Sequence, residues 1–124
     1  MRTPGLVVGV GCREHTTADE LFAHVAEVLG AAHLDPGEVV LVATLDRRST
    51  HPAVLGLAAA LGASVEGVSA RGLEAEPAPT PSPVVARAAG TASVAEAAVL
   101  AVGARLLVPK HVGAASTVAV GRRD

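Results

Sequence analysis

"GLVVGVGCREHTTADE" (residues 5–20) decides how this chain is read. Its first part, "GLVVGVG" (5–11), is an unbroken apolar run of strand length. A run without polar alternation suits a strand covered on both faces, as in a sheet between two helix layers. Further on, Thr17 stands three residues before Glu20, the spacing of a capping box, so a helix starts near Ala18. Its apolar set, Leu21, Phe22, Val25, Val28 and Leu29, recurs at helical spacing, and Gly30 lies near its end. His24 and His33 read as surface residues on or after this helix. The stretch is a strand, a loop and a capped helix.

The same unit recurs downstream. "LDPGE" (34–38) is a turn and "VVLVATL" (39–45) a second buried strand. Ser49 or Thr50 caps the next helix, Pro52 sits in its first turn, and Gly62 stops it. "SVEGVS" (64–69) is a short strand, and "ARGLEAE" (70–76) makes at most two helical turns. "EPAPTPSP" (76–83) reads as a stiff surface connection, because neither flank is long enough to be a complete domain. Ser82 caps a helix entered through Pro83 that ends near Gly90. Ser93 and Glu96 form a second capping box for a helix that stops at Gly103. "RLLVP" (105–109) and "STVAVG" (116–121) are the last strands, and the short link between them implies an antiparallel return. Arg122 and Arg123 read as a solvated tail.

Strand–helix alternation implies an α/β fold: a three-layer α/β/α arrangement around a mostly parallel mixed sheet of about five strands. The antiparallel final strand is expected at one side. The 124 residues make one domain, 1–124.

Composition narrows the function. Phe22 is the only residue among Phe, Tyr and Trp, so the chain lacks the stacking platforms that single-stranded nucleic acid needs. A net charge of −2 gives no electrostatic footprint for DNA. The single cysteine fits a reducing compartment, and the apolar runs are too short to span a bilayer. The expectation is a cytoplasmic protein with no nucleic-acid or membrane partner.

Parallel strands bring their C-terminal ends to one edge, where ligands of open α/β sheets bind. That edge collects Gly11, Cys12, Arg13, Glu14 and His15 after the first strand. Asp46, Arg47, Arg48, Ser49 and Thr50 follow the second, and Lys110 and His111 the fourth. Helix N-termini add partial positive charge there. The cluster of cations predicts a polyanionic small molecule, foremost one with several carboxylates, which arginine binds bidentately. Gly9 and Gly11 let the backbone approach it closely.

Plainer readings stand beside these. "GVG" is a fragment of a dinucleotide fingerprint, but Glu14 occupies its third glycine position. Cys12 and His15 are two ligands, which do not make a zinc site, so no metal and no cofactor are expected. Ser82 is a helix cap before it is a binding hydroxyl, and Lys110 reads equally as a surface lysine. Candidate base or nucleophile groups are Cys12, His15, Asp46 and His111, and no catalytic triad is readable from their spacing.

Four stretches together are similar to one known family. "GVGCREHTTADEL" resembles its G-[IV]-G-C-R-x-G-[TS] loop, and "VATLDRRSTHPAVLGLAAALG" its segment ahead of the second helix. "PSPVVARAAGTASVAEAAVL" and "LLVPKHVGAASTVAVGR" complete the series in order. On these the chain resembles the cobalamin-biosynthesis family formed by CobE and the C-terminal domain of CbiG, and its length matches the stand-alone members. His15 departs from the family's glycine, and Thr50 and His51 stand where acidic residues are common. The resemblance implies work on the corrin ring, with a precorrin-type tetrapyrrole as ligand and other corrin-pathway enzymes as candidate partners. It implies substrate contacts from Gly9, Gly11, Cys12, Arg13, Arg48, Ser82 and Lys110. The alternative it implies is a cobalt-precorrin lactone hydrolase that releases acetaldehyde.

Overall fold

The computed structural model describes residues 4–74 and 91–124. Ser82, Pro83 and the proline-rich segment lie outside the described residues, as does the helix expected up to Gly90.

Strand β1 (Gly5–Cys12) leads into helix α1 (Ala18–Ala31). The capping box is present: Thr17 Oγ1 accepts the Glu20 N–H at 3.1 Å, and the Glu20 carboxylate accepts the Thr17 N–H at 2.9 Å. Strand β2 (Val39–Leu45), helix α2 (Pro52–Leu61) and strand β3 (Ser64–Val68) follow. Gly62 closes α2 in the left-handed conformation, φ 69°, as expected of a helix stop. A short helix α3 (Ala70–Glu74), helix α4 (Thr91–Ala101) and strands β4 (Arg105–Val112) and β5 (Ser116–Arg123) complete the described chain.

The sheet order is β3-β2-β1-β5-β4. β1, β2 and β3 are parallel, and β5 is antiparallel to both β1 and β4. β4 therefore runs in the direction of β1, as expected. The final strand is not at one side, however: it is inserted between β1 and β4. The core is in two layers. Leu6, Val8, Val10, Val118 and Val120 face α1 and α2. Val7 and Ala119 face α4 through Ala95, Ala98, Val99 and Val102. The three-layer α/β/α reading is borne out.

Several local expectations give way. Phe22 is 40% exposed, while His24, read as a surface residue, is buried. The inward stripe of α1 is Leu21, His24, Val25, Val28 and Leu29, a tighter match to the 3.6 period. The cap of α2 is neither Ser49 nor Thr50 but His51, whose Nδ1 accepts the Ala53 N–H at 3.0 Å. Ser93 lies inside α4, which already runs from Thr91, and not at its start. Glu96 is fully buried, and its Oε2 accepts the Lys110 N–H at 2.9 Å, tying α4 to β4. Arg122 and Arg123 are not a tail. They pair with β1 through Leu6 and Gly5, Arg122 lies 3.4 Å from Glu38, and Arg123 Nη1 donates to the Val102 carbonyl.

Candidate functional site

A pocket of about 200 Å³ opens at the C-terminal ends of β1 and β2. Gly11, Cys12 and Arg13 line it from the end of β1, and Thr44, Leu45, Arg47 and Arg48 from the end of β2. Val94 closes it from α4, and Val112, Gly113, Ala115, Ser116 and Thr117 from the β4–β5 turn. Three arginines line it, and no carboxylate does among the described residues. On a chain of net charge −2 that is a local concentration of positive charge. It faces the edge where α1 and α2 begin, whose N-termini add to it.

The rim is tied together by side chains. Thr16 is buried; its Oγ1 accepts the Arg13 N–H at 3.0 Å and donates to the Ala115 carbonyl at 2.7 Å. This fixes the loop that carries Arg13 against the β4–β5 turn. His51 joins the other two loops. Because its Nδ1 accepts from Ala53, Nε2 carries the proton and donates to the Glu14 carbonyl at 2.8 Å. Ser49 Oγ donates to the Asp46 carbonyl at 2.7 Å and closes the turn that holds Arg47 and Arg48.

A third link lies behind the β4–β5 turn. His24 Nδ1 is 2.7 Å from Ser116 Oγ, and His24 Nε2 is 2.8 Å from His111 Nδ1. Burial, and then the neighbouring His111, push the His24 pKa below the ordinary histidine value, against a smaller opposing pull from Glu27. Gly113 is needed here, since a Cβ on it would come within 2.9 Å of the His24 ring.

The expected residues divide. Gly11, Cys12, Arg13 and Arg48 meet at the pocket, joined by Arg47. Gly9 lies within β1, not in a turn, and what approaches it is the Ala95 carbonyl of α4, 2.1 Å from where a Cβ would be. The close approach it permits is that of a helix. Lys110, His111, Asp46 and His15 are not among the lining residues. The half-buried Cys12 thiol is pushed up by burial, with Arg48 opposing, so it is a neutral thiol at pH 7. Sequence reasoning missed His24, Ser116, Thr16 and the structural role of His51.

The family model of the cobalamin synthesis G C-terminus matches residues 6–121. The chain belongs to this family. Protein CobE of Sinorhizobium sp is 38% identical over 121 residues, covering 94% of this chain and 79% of that protein. Among solved structures, CobE, described as a protein from the cobalamin (vitamin B12) biosynthetic pathway, superposes with a TM-score of 0.85 at 29% identity. The match covers 99% of this chain and 93% of that one. The cobalamin biosynthesis protein chiG from Agrobacterium tumefaciens gives 0.69 at 29% identity, covering 94% and 96%. Membership makes this a cobalamin-biosynthesis protein, and it directs attention to ligands met in that synthesis. Among the described residues, no helix is long and apolar enough to cross a membrane.

Proposed function

We propose that this protein binds a carboxylate-rich, precorrin-type tetrapyrrole during corrin synthesis. The observation that carries the reading is the pocket lined by Arg13, Arg47 and Arg48 without a carboxylate, in a chain of this family. Guanidinium forks match carboxylates, and tetrapyrrole intermediates are fringed with acetate and propionate groups. Size refines the pose. A volume of about 200 Å³ is below that of sites enclosing a drug-sized ligand, about 300–1,000 Å³. The macrocycle therefore lies across the mouth, and one carboxylated edge enters.

Uroporphyrin, which carries acetate and propionate groups, tests this against its fully esterified form. The acid should bind with a Kd of about 1 μM, or −8 kcal/mol, and more weakly as salt rises. Arg13 is exposed and Arg48 half-buried, so each replacement by Ala should weaken binding about tenfold, or 1.4 kcal/mol. Equal binding of acid and ester, or an Arg13→Ala/Arg48→Ala protein with unchanged affinity, rejects the reading.

A further inference from the structure

The hydrogen-bonded chain Ser116–His24–His111 joins three elements and reaches the pocket at Ser116. Its proton order can be worked out. Among the described residues, the Ser116 hydroxyl has no partner other than His24. If His24 Nδ1 carried a proton toward it, the hydroxyl proton would have no acceptor in a site where both residues are 8% exposed. The arrangement that uses every group has Ser116 Oγ–H donating to His24 Nδ1. His24 Nε2–H then donates to Nδ1 of the exposed His111. A hydroxyl donates to a neutral imidazole, and a third group fixes the tautomer of that imidazole. This is the arrangement of an activated nucleophile.

We infer that Ser116 is an acyl-accepting nucleophile with His24 as its general base and His111 as a positioning residue, acting on esters that carry a neighbouring carboxylate. The carboxylate preference rests on the arginine pocket proposed above; the nucleophile does not. Ser116 Oγ attacks the ester carbonyl, its proton passes to His24 Nδ1, and an oxygen–acyl bond forms. The bond from the acyl carbon to the alkoxide breaks, and the alkoxide leaves with the proton from His24. Water then repeats the step on the acyl-serine, giving the free acid and restoring the hydroxyl. His111 accepts from the imidazolium while it carries charge. Cys12, the cross-strand partner of Ser116, stands on the same face as a neutral thiol, which leaves the serine as the group with a base beside it.

The test uses the p-nitrophenyl monoester of succinate and, beside it, p-nitrophenyl acetate. The expected result is a burst of p-nitrophenol stoichiometric with protein, and peptide mass spectrometry placing one succinyl group on Ser116. His24→Gln should slow acylation about 100-fold or more. His111→Leu should slow it and shift its pH profile, and His111→Gln, which keeps an acceptor, should restore both. Acylation should fall at acid pH as His24 takes a proton, His111 and Glu27 being the side chains whose charge acts on it. No acylation of the intact protein, or an acyl group on any other residue, overturns the proposal without reference to a variant's folding. If Ser116 is acylated but Arg13→Ala and Arg48→Ala leave the preference for the succinate ester unchanged, the arginine reading fails and the nucleophile stands. If uroporphyrin binds through the arginines and Ser116 stays unmodified, the reverse holds.

Discussion

Replacing His51 separates the two things its imidazole does. Nδ1 accepts from the Ala53 N–H, so His51 caps α2; Nε2–H donates to the Glu14 carbonyl, so it also fastens the arginine-bearing loop after β2 to the loop after β1. Losing a side-chain cap costs about 1 kcal/mol. Losing the hydrogen bond to Glu14, whose carbonyl water can solvate instead, costs about 1 kcal/mol or less. His51→Ala loses both, and His51→Asn keeps a good capping acceptor but cannot reach as far. For a domain of this size, 1 kcal/mol is worth about 4 °C in Tm. Calorimetry should therefore show His51→Ala about 8 °C lower and His51→Asn about 4 °C lower. Uroporphyrin affinity should drop in both, because both release the loop. A His51→Asn protein with wild-type affinity would refute the claim that this bond organises the pocket. A His51→Ala protein with unchanged Tm would refute the cap.

Other expectations follow from the buried polar groups. The His24 pKa is lowered in the folded state, so below the ordinary histidine value of about 6.5 the unfolded chain binds the proton more readily. Stability should therefore fall as pH drops from about 6.5 through the lowered pKa and level off beneath it, and His24→Gln should flatten that segment of a urea-denaturation series. Glu96→Ala should cost about 3 kcal/mol by leaving the Lys110 N–H without this acceptor and opening a cavity, while Glu96→Gln restores most of it; equal urea midpoints for the two would refute the assigned bond. Cys12 should react slowly with iodoacetamide at pH 7 and speed up only in alkali, because burial holds the thiol neutral; fast labelling at pH 7 would contradict that.

Local signals and long-range ones were not equally legible in the sequence. The capping box at Thr17 and the stop at Gly62 depend on neighbours within one helical turn, and both are where the sequence put them. The placement of β5 depends on how a hairpin folds back, which adjacency along the chain does not decide. A signal was nevertheless present. "RLLVPKHV" carries Pro109, Lys110 and His111, the composition of an edge strand, while Ser116–Gly121 is buried throughout. His24 was hidden by its type: a histidine at a stripe position was read as surface, although 21, 24, 25, 28 and 29 fit the period better than any set with Phe22. Ser93 and Glu96 show the opposite failure. The capping-box spacing also occurs inside helices, and α4 already runs from Thr91. The edge collecting Arg13, Arg47 and Arg48 was legible, because it follows from strand direction alone. The ties beneath it were not.

Those ties change what the arginines can do. Loops that carry charge are costly binding elements when ligand must order them, since each immobilised rotamer-rich side chain costs about 0.5–1.5 kcal/mol before any backbone ordering. Here the backbone is ordered beforehand by three side chains that bridge positions far apart in sequence. Thr16 reaches Ala115 across 99 residues, His24 reaches His111 across 87, and His51 reaches Glu14 across 37. The His51 link needs only β1 and β2 side by side, while those from Thr16 and His24 wait until the β4–β5 hairpin has docked on β1. The pocket is thus a product of the whole sheet and not of any one loop, and ligand has only arginine side chains left to immobilise. It follows that a change at Thr16 or His51, neither of which brings charge to the pocket, should weaken a carboxylate ligand much as removal of one arginine does.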